Sequence, residues 1–291
     1  FEAVELLDAL FIKFNQIVYM RNAHSAKYFA GFPIGFNVTV GGQKKNRSDA
    51  TNELTYLILK ALDHPSLPQP NLTARLHKQS PDKFISECSR VIGLGNGMPQ
   101  IVNDESIIPA LRSLGIDPND CRDYALVGCV ELSPQGNFLG WSDAAMFNLV
   151  KVLELTLNDG KCLLTGKQFG LKTGTLESHS DFTSFEKAFG KQIDHLVKKM
   201  ILACAAVERC HQSHLPSPFL SGVVEDCLET GKDVTAGGAK YNFSGIQAIQ
   251  VANIADSLAV LKKLVFDGNL VKKETMLNAL KNNFAGDEPL R

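Results

Sequence analysis

The sequence predicts an α/β fold, arranged in layers or as a barrel. Short β-branched and aromatic runs alternate with segments of helical periodicity, and turn formers separate them. The composition agrees. At 44% hydrophobic and 21% charged over 291 residues, the chain has the make-up of a globular protein with a sizeable core. The length allows one large domain over residues 1–291 or two small ones; no repeat or low-complexity run divides the chain, and only the loop-rich stretch 160–183 would suit a boundary, near 160–180.

Residues 1–21 read as a helix through Leu7, Leu10, Phe14, Ile17 and Val18. Residues 36–40 read as a strand, and 50–62 as a helix that Asp63-His64-Pro65 breaks. A strand over 72–76, a helix over 81–92, a strand at 100–102, a helix near 105–114 and a strand at 124–128 follow. Next comes a helix over 143–158. Asp143 is a favoured N-cap, and Met146, Leu149, Val150, Leu153 and Leu157 repeat at helical spacing after it. From Phe185 a long helix carries Phe189, Ile193, Leu196, Met200, Ala203 and Val207 in steps of three and four, a clean apolar stripe. Helices at 222–230 and 253–266 close the pattern.

Charge and cysteine usage exclude several classes. The formal net charge is −1 with no basic run, which argues against a nucleic-acid partner. No apolar stretch reaches the length of a membrane span, and Phe1 starts no signal peptide. Seven cysteines, odd in number and without a C-x-x-C pair, point to reduced thiols in a cytoplasmic protein. The sequons at Asn37, Asn46, Asn71 and Asn242 are then chance matches.

Gly128-Cys129-Val130-Glu131 is the stretch that points to chemistry. A short apolar run, Tyr124-Ala125-Leu126-Val127, leads into it, and Ser133-Pro134-Gln135-Gly136-Asn137 leads away. A thiol and a carboxylate at i and i+2 of an extended loop face the same way, so one bound molecule can touch both. Radical elimination needs that pair, a sulfur to remove a hydrogen atom and a base to take a proton. The plainer reading is a small buried thiol beside a glutamate that caps a turn.

Further segments carry a resemblance. They are 25–33 with 37–43, Gln69-Pro70-Asn71-Leu72 leading to Arg75, Gly93-Leu94-Gly95-Asn96-Gly97-Met98-Pro99 leading to Asn103-Asp104-Glu105, and Arg122-Asp123-Tyr124 through Glu131. Gly140-Trp141-Ser142-Asp143, Gly237-Gly238-Ala239-Lys240-Tyr241 and Asp256-Ser257-Leu258-Ala259 continue the series. In this order the chain resembles the glycyl radical enzymes, in their pyruvate formate-lyase-like and glycerol dehydratase-like branch. The resemblance implies part of a ten-stranded α/β barrel with the Cys129 loop at its centre. It implies Cys129 as the thiyl radical and Glu131 as the proton acceptor in a dehydratase or C–X lyase acting on a small polar substrate. It places Asp143, Ser142, Gly35 and Phe36 on the substrate pocket, with Gly35 making the pocket roomier. A thiol and carboxylate buried away from water would suit this work, since burial keeps the thiol as S–H.

The resemblance also implies a homodimer, and a glycine radical installed by an iron–sulfur, S-adenosylmethionine-dependent activating enzyme. No cofactor or metal is expected on this chain itself. The Arg-Val-Ala-Gly-Tyr-like run that bears the radical is missing, and Arg90-Val91-Ile92-Gly93-Leu94 is only an echo of it. With Phe1 reading as mid-helix, the chain is expected to be an internal fragment, inactive alone. A single cysteine between Gly128 and Val130 disfavours the two-cysteine, formate acetyltransferase-like reaction, and Leu132-Ser133 departs from the Pro-Gln of glycerol dehydratase. An arylacetate decarboxylase-like reaction stays open.

Other readings compete. A cysteine hydrolase would pair Cys129 with His77, His179 or His195, and a non-catalytic scaffold would need no partner. Cys204, Cys210, His211 and His214 match no zinc spacing and read as core thiols and helix-end histidines. Gly93, Gly95 and Gly97 lack a phosphate-binding pattern, and Gly237-Gly238 reads as a close backbone approach.

Overall fold

The computed structural model describes residues 2–16, 23, 26, 27, 35–64 and 67–290. Ile17, Val18, Pro65 and most of segment 25–33 lie outside them. The chain divides into two compact units, Phe1–Ser142 with Pro216–Phe243 and Asp143–Leu215 with Ser244–Arg291. None of the breaks falls at 160–180.

Helix and strand alternate through most of the first unit, as α1 Glu2–Phe14, β1 Asn37–Gly41, α2 Glu53–Ala61, β2 Asn71–Leu76, α3 Asp82–Val91, β3 Gln100–Asn103 and α4 Asp104–Ser113. The stripe of α1 is Val4, Leu7, Phe11 and Phe14 against one core, while Leu10 is exposed. Leu10 sits one residue, about 100° around the helix, from the buried Phe11. Asn52 caps α2 by accepting the Thr55 N–H at 3.2 Å, and Thr55 Oγ1 accepts the Asn52 N–H in return. The three strands form a parallel sheet in the order β1-β2-β3, with Asn37 opposite Asn71 and Thr39 opposite Thr73. Alternation sends Val38, Val40, Leu72 and Ala74 into the helical core. It puts Asn37, Thr39, Asn71, Thr73 and Arg75 on the other face.

β4 Tyr124–Val127 and β5 Glu131–Pro134 form an antiparallel hairpin whose turn is Gly128-Cys129-Val130. β6 Phe138–Leu139 pairs in parallel with β8 Tyr241–Asn242. Of the helix expected over 222–230 only a single turn forms, Cys227–Thr230, and another single turn, Pro218–Ser221, precedes the segment. Gly222 and Gly231 end them.

The second unit pairs β7 Ala145–Asn148 with β9 Ile246–Ile249, in parallel. Around them lie α5 Leu149–Leu157, α6 Phe182–His214, α7 Val251–Val260, which runs on into a wider turn at Leu261–Asp267, and α8 Lys273–Lys281. Their core joins Val152, Leu153, Leu157, Phe185, Phe189, Ile254, Leu261, Met276 and Leu277. The helix expected over 143–158 begins only at Leu149. Asn148 caps it, accepting the Lys151 N–H at 2.9 Å, because 145–148 is committed to pairing with β9. The stripe on α6 is buried only at its start, where Phe185, Ala188, Phe189 and Gln192 are covered, whereas Val207 is exposed.

Candidate active site

The Cys129 turn is positioned from below by the polar face of the sheet. Strand β4 lies across that face, and alternate residues meet matched side chains. Arg75 Nη1 donates to Tyr124 O at 2.7 Å, and Thr39 Oγ1 accepts the Leu126 N–H at 3.0 Å. Gly128 O then accepts from Asn71 Nδ2 at 2.8 Å and Asn37 Nδ2 at 3.1 Å. The period of two along β4 matches the period of two on β1 and β2. Backbone groups on the outer edge of a short hairpin thus find partners.

Arg75 is itself held. Its Nε and Nη2 each lie 2.9 Å from an oxygen of Asp104, which is fully buried, and its guanidinium lies 3.8 Å from the Tyr124 ring centroid. The Tyr124 hydroxyl donates to Asp104 Oδ1 at 2.7 Å, and burial together with this bond pushes the phenol pKa well up. Close passage of the guanidinium explains Gly42, where a Cβ would come within 2.6 Å of Arg75 Cζ. Arg75, Asp104 and Tyr124 all stood in the motif segments, but their mutual pairing joins residues 20 to 49 positions apart.

Within the turn, Glu131 folds back. Its Oε2 accepts the Cys129 N–H and the Val130 N–H, both at 2.9 Å. Gly128 has φ +58°, and a Cβ there would lie 3.0 Å from Glu131 Oε2, so glycine lets the carboxylate sit under the turn. Cys129 is exposed and Glu131 half-buried. The thiol is exposed among these residues because the turn is the tip of a two-stranded hairpin rather than the middle of a sheet.

Gly35 borders the same turn, its Cβ direction pointing to Gly128 Cα at 3.4 Å. Phe36 stacks on Phe14, with centroids 4.8 Å apart, and its N–H donates to Gln69 Oε1. Ser142, half-buried, ends the first unit's leading segment, and Asp143, exposed, opens the second unit. Asp143 does not cap a helix; it lies in the turn before β7 and accepts from Gln247 Nε2 at 3.3 Å.

The hydrolase reading finds no support among the described histidines of the first unit. His77 contacts Asp49 through Nε2 and the Gln79 N–H through Nδ1, and His64 contacts Asp8. Among the described residues no group of three or more metal-ligating side chains occurs, and no helix is long and apolar enough to cross a membrane. Asn37, Asn71 and Asn242 have their side-chain amides in internal hydrogen bonds.

This architecture defines a class. Residues 1–291 match the family model described as pyruvate formate lyase-like, and the chain belongs to that family of glycyl radical enzymes. Among curated relatives, (2S)-3-sulfopropanediol dehydratase of Klebsiella oxytoca is 35% identical over 99% of this chain and 35% of its own length. The glycerol-bound B12-independent glycerol dehydratase from Clostridium butyricum superposes with a TM-score of 0.90 at 42% identity, over 98% of this chain and 36% of that one. A glycyl radical enzyme from Archaeoglobus fulgidus gives 0.87 at 36% identity, over 99% of this chain and 36% of the other. The chain spans about a third of the length of these relatives.

Proposed function

We propose that this chain carries the cysteine–glutamate site of a radical dehydratase or C–X lyase acting on a small polar, hydroxylated substrate. One observation carries the reading. Cys129 and Glu131 share one hairpin turn in a chain whose relatives are dehydratases, and the carboxylate, which also caps that turn by accepting the Cys129 N–H at 2.9 Å, stays on the same turn as the thiol. The family's glycine-centred radical, borne outside the site described, supplies the unpaired electron. Cys129 Sγ then removes a hydrogen atom from a substrate carbon and later returns one to the product. Glu131 takes the proton of the neighbouring hydroxyl as the leaving group departs, a general-base role.

The relatives are named for sulfopropanediol and glycerol, and this supports a polyol-like substrate, with Asp143, Ser142, Gly35 and Phe36 proposed on its pocket. The two units are proposed as parts of one domain of a ten-stranded barrel, cytoplasmic and dimeric, and activated by an S-adenosylmethionine-dependent partner. The hairpin's seat on the polar face of a parallel sheet supports placing the Cys129 loop at the barrel centre. Other parts of the barrel would then exclude water from the turn.

The test uses the full-length protein, activated anaerobically. Cys129→Ser is expected to keep the glycine-centred electron-spin signal and lose product formation, while Glu131→Gln lowers kcat by about 10²–10⁴-fold. Undiminished turnover by Cys129→Ser overturns the proposal.

A further inference from the structure

The Gly128–Cys129 peptide is pinned at both of its polar ends. Its carbonyl oxygen accepts from Asn71 Nδ2 at 2.8 Å and Asn37 Nδ2 at 3.1 Å, and its N–H, that of Cys129, donates to Glu131 Oε2 at 2.9 Å. Gly128, at φ +58°, has no side chain to hold it in that conformation. These bonds therefore set the plane of the peptide, and with it the direction in which the Cys129 side chain starts. The two ends behave differently in the proposed reaction. Glu131 is its base, and a carboxylate that has taken a proton holds a neighbouring N–H less strongly than the anion does. The carbonyl end undergoes no change of charge and keeps its grip.

Asn71 gives the closer of the two amide bonds. The Asn37 amide also donates to Thr73 Oγ1, at 3.2 Å. Asn71 has a second attachment, through its backbone. Its N–H donates to Phe36 O at 2.8 Å, and the Phe36 N–H donates to Gln69 Oε1 at 2.9 Å. Gly35 and Phe36, proposed on the substrate pocket, are thus tied to the backbone of Asn71, and the cysteine turn is tied to its side chain. The two parts are already close, since a Cβ on Gly35 would lie 3.4 Å from Gly128 Cα. One residue spans from the proposed pocket wall to the peptide that carries the thiol.

We infer that Asn71 is a positioning residue for hydrogen-atom transfer, setting the distance from the Gly35–Phe36 wall to Cys129 Sγ, with Asn37 in support. The inference rests on the radical reading of Cys129 given above. Truncating the side chain at position 71 leaves the backbone bond to Phe36 and the Gln69 bond in place. The wall, and substrate binding with it, then survives while the thiol loses its anchor. The loss falls on kcat and on kcat/KM equally. A misplacement of about 1 Å between reacting atoms costs about 10²-fold in rate.

Full-length protein, activated anaerobically, is assayed with glycerol, propane-1,2-diol and 3-sulfopropanediol, each with and without deuterium on its carbons. Turnover is counted per glycine-centred spin, so that a loss of folded protein drops out. On the diol that the native protein dehydrates, Asn71→Ala is expected to lower kcat by about ten- to a hundredfold and to keep KM within about twofold. Its deuterium isotope effect grows, because hydrogen transfer becomes rate-limiting. Asn71→Asp turns an acceptor toward the carbonyl and falls further. Asn37→Ala gives a smaller loss of the same kind, and carries the test if variants at position 71 fail to fold. Asn52→Ala removes the α2 cap and keeps the native per-spin kcat and isotope effect. With Cys129→Ser inactive, a native kcat in Asn71→Ala, an unchanged isotope effect, or a loss confined to KM overturns the inference alone. Product from Cys129→Ser, or no turnover of any of the three diols by the native protein, overturns the radical reading and this inference with it.

Discussion

Gly128 O has two amide donors from two different strands, and this is what registers the cysteine turn on the sheet. Asn71→Ala removes the shorter bond and should cost about 1 kcal/mol. With Asn37→Ala added, the loss should exceed the sum of the two single changes, because each donor partly covers for the other at one acceptor. Urea denaturation of the single and double variants measures both. The sequence marks these asparagines only as chance sequons and members of motif segments. Their true partner lies 91 and 57 residues away, beyond the reach of any local pattern.

Between elements, short links do what long helices do elsewhere. Asp233 ties the helical turn at Pro218–Ser221 to the one at Val234–Ala236. Its Oδ2 accepts the Ser217 N–H and the Ser221 hydroxyl, and its Oδ1 accepts the Thr235 N–H and hydroxyl. The Thr235 hydroxyl, followed by Ser221 and the backbone amides, lowers its pKa to about 2 against the opposing effect of burial. A depressed carboxyl pKa contributes stability above its ordinary value of about 4. That contribution is lost as pH falls from about 4 through about 2. Thermal midpoints between pH 2 and 6 should therefore rise with pH in the native chain, and the Asp233→Asn variant should lack this component. The helix expected over 222–230 is cut short by its own backbone. Its apolar residues are spaced for a helix, but Asp226 at φ +74° breaks the helical path between Gly222 and Cys227, and the Glu225 N–H goes to Gly136 O rather than back along a helix.

At the scale of the whole chain, the two units interleave in sequence, and each has its own core. Helix α6 shows where one core ends. Phe185 is fully buried, whereas Leu202 on the same helix is 70% exposed. Phe185→Ala should therefore cost about 3–5 kcal/mol, and Leu202→Ala about 0.5 kcal/mol or less. Chemical denaturation of the two variants reads that contrast. The apolar stripe is continuous along 185–207, so periodicity alone suggests burial throughout. Neighbouring elements decide how much of a stripe is covered.

Read as residues alone, the chain yields its α/β class, most of the helices and strands up to 128, and the cysteine–glutamate turn. These depend on neighbours a few positions apart, as with the Asn52 cap of α2 or the glycine that opens the Cys129 turn. Other features needed the folded chain. Asp143 lies in a turn rather than at a helix start because Ala145–Asn148 pairs with Ile246–Ile249, about a hundred residues on. The hairpin takes its seat because Arg75, Thr39, Asn37 and Asn71 converge from two strands on three backbone groups. Hydrogen bonds between distant segments have no periodicity to read, so only their meeting in space reveals them.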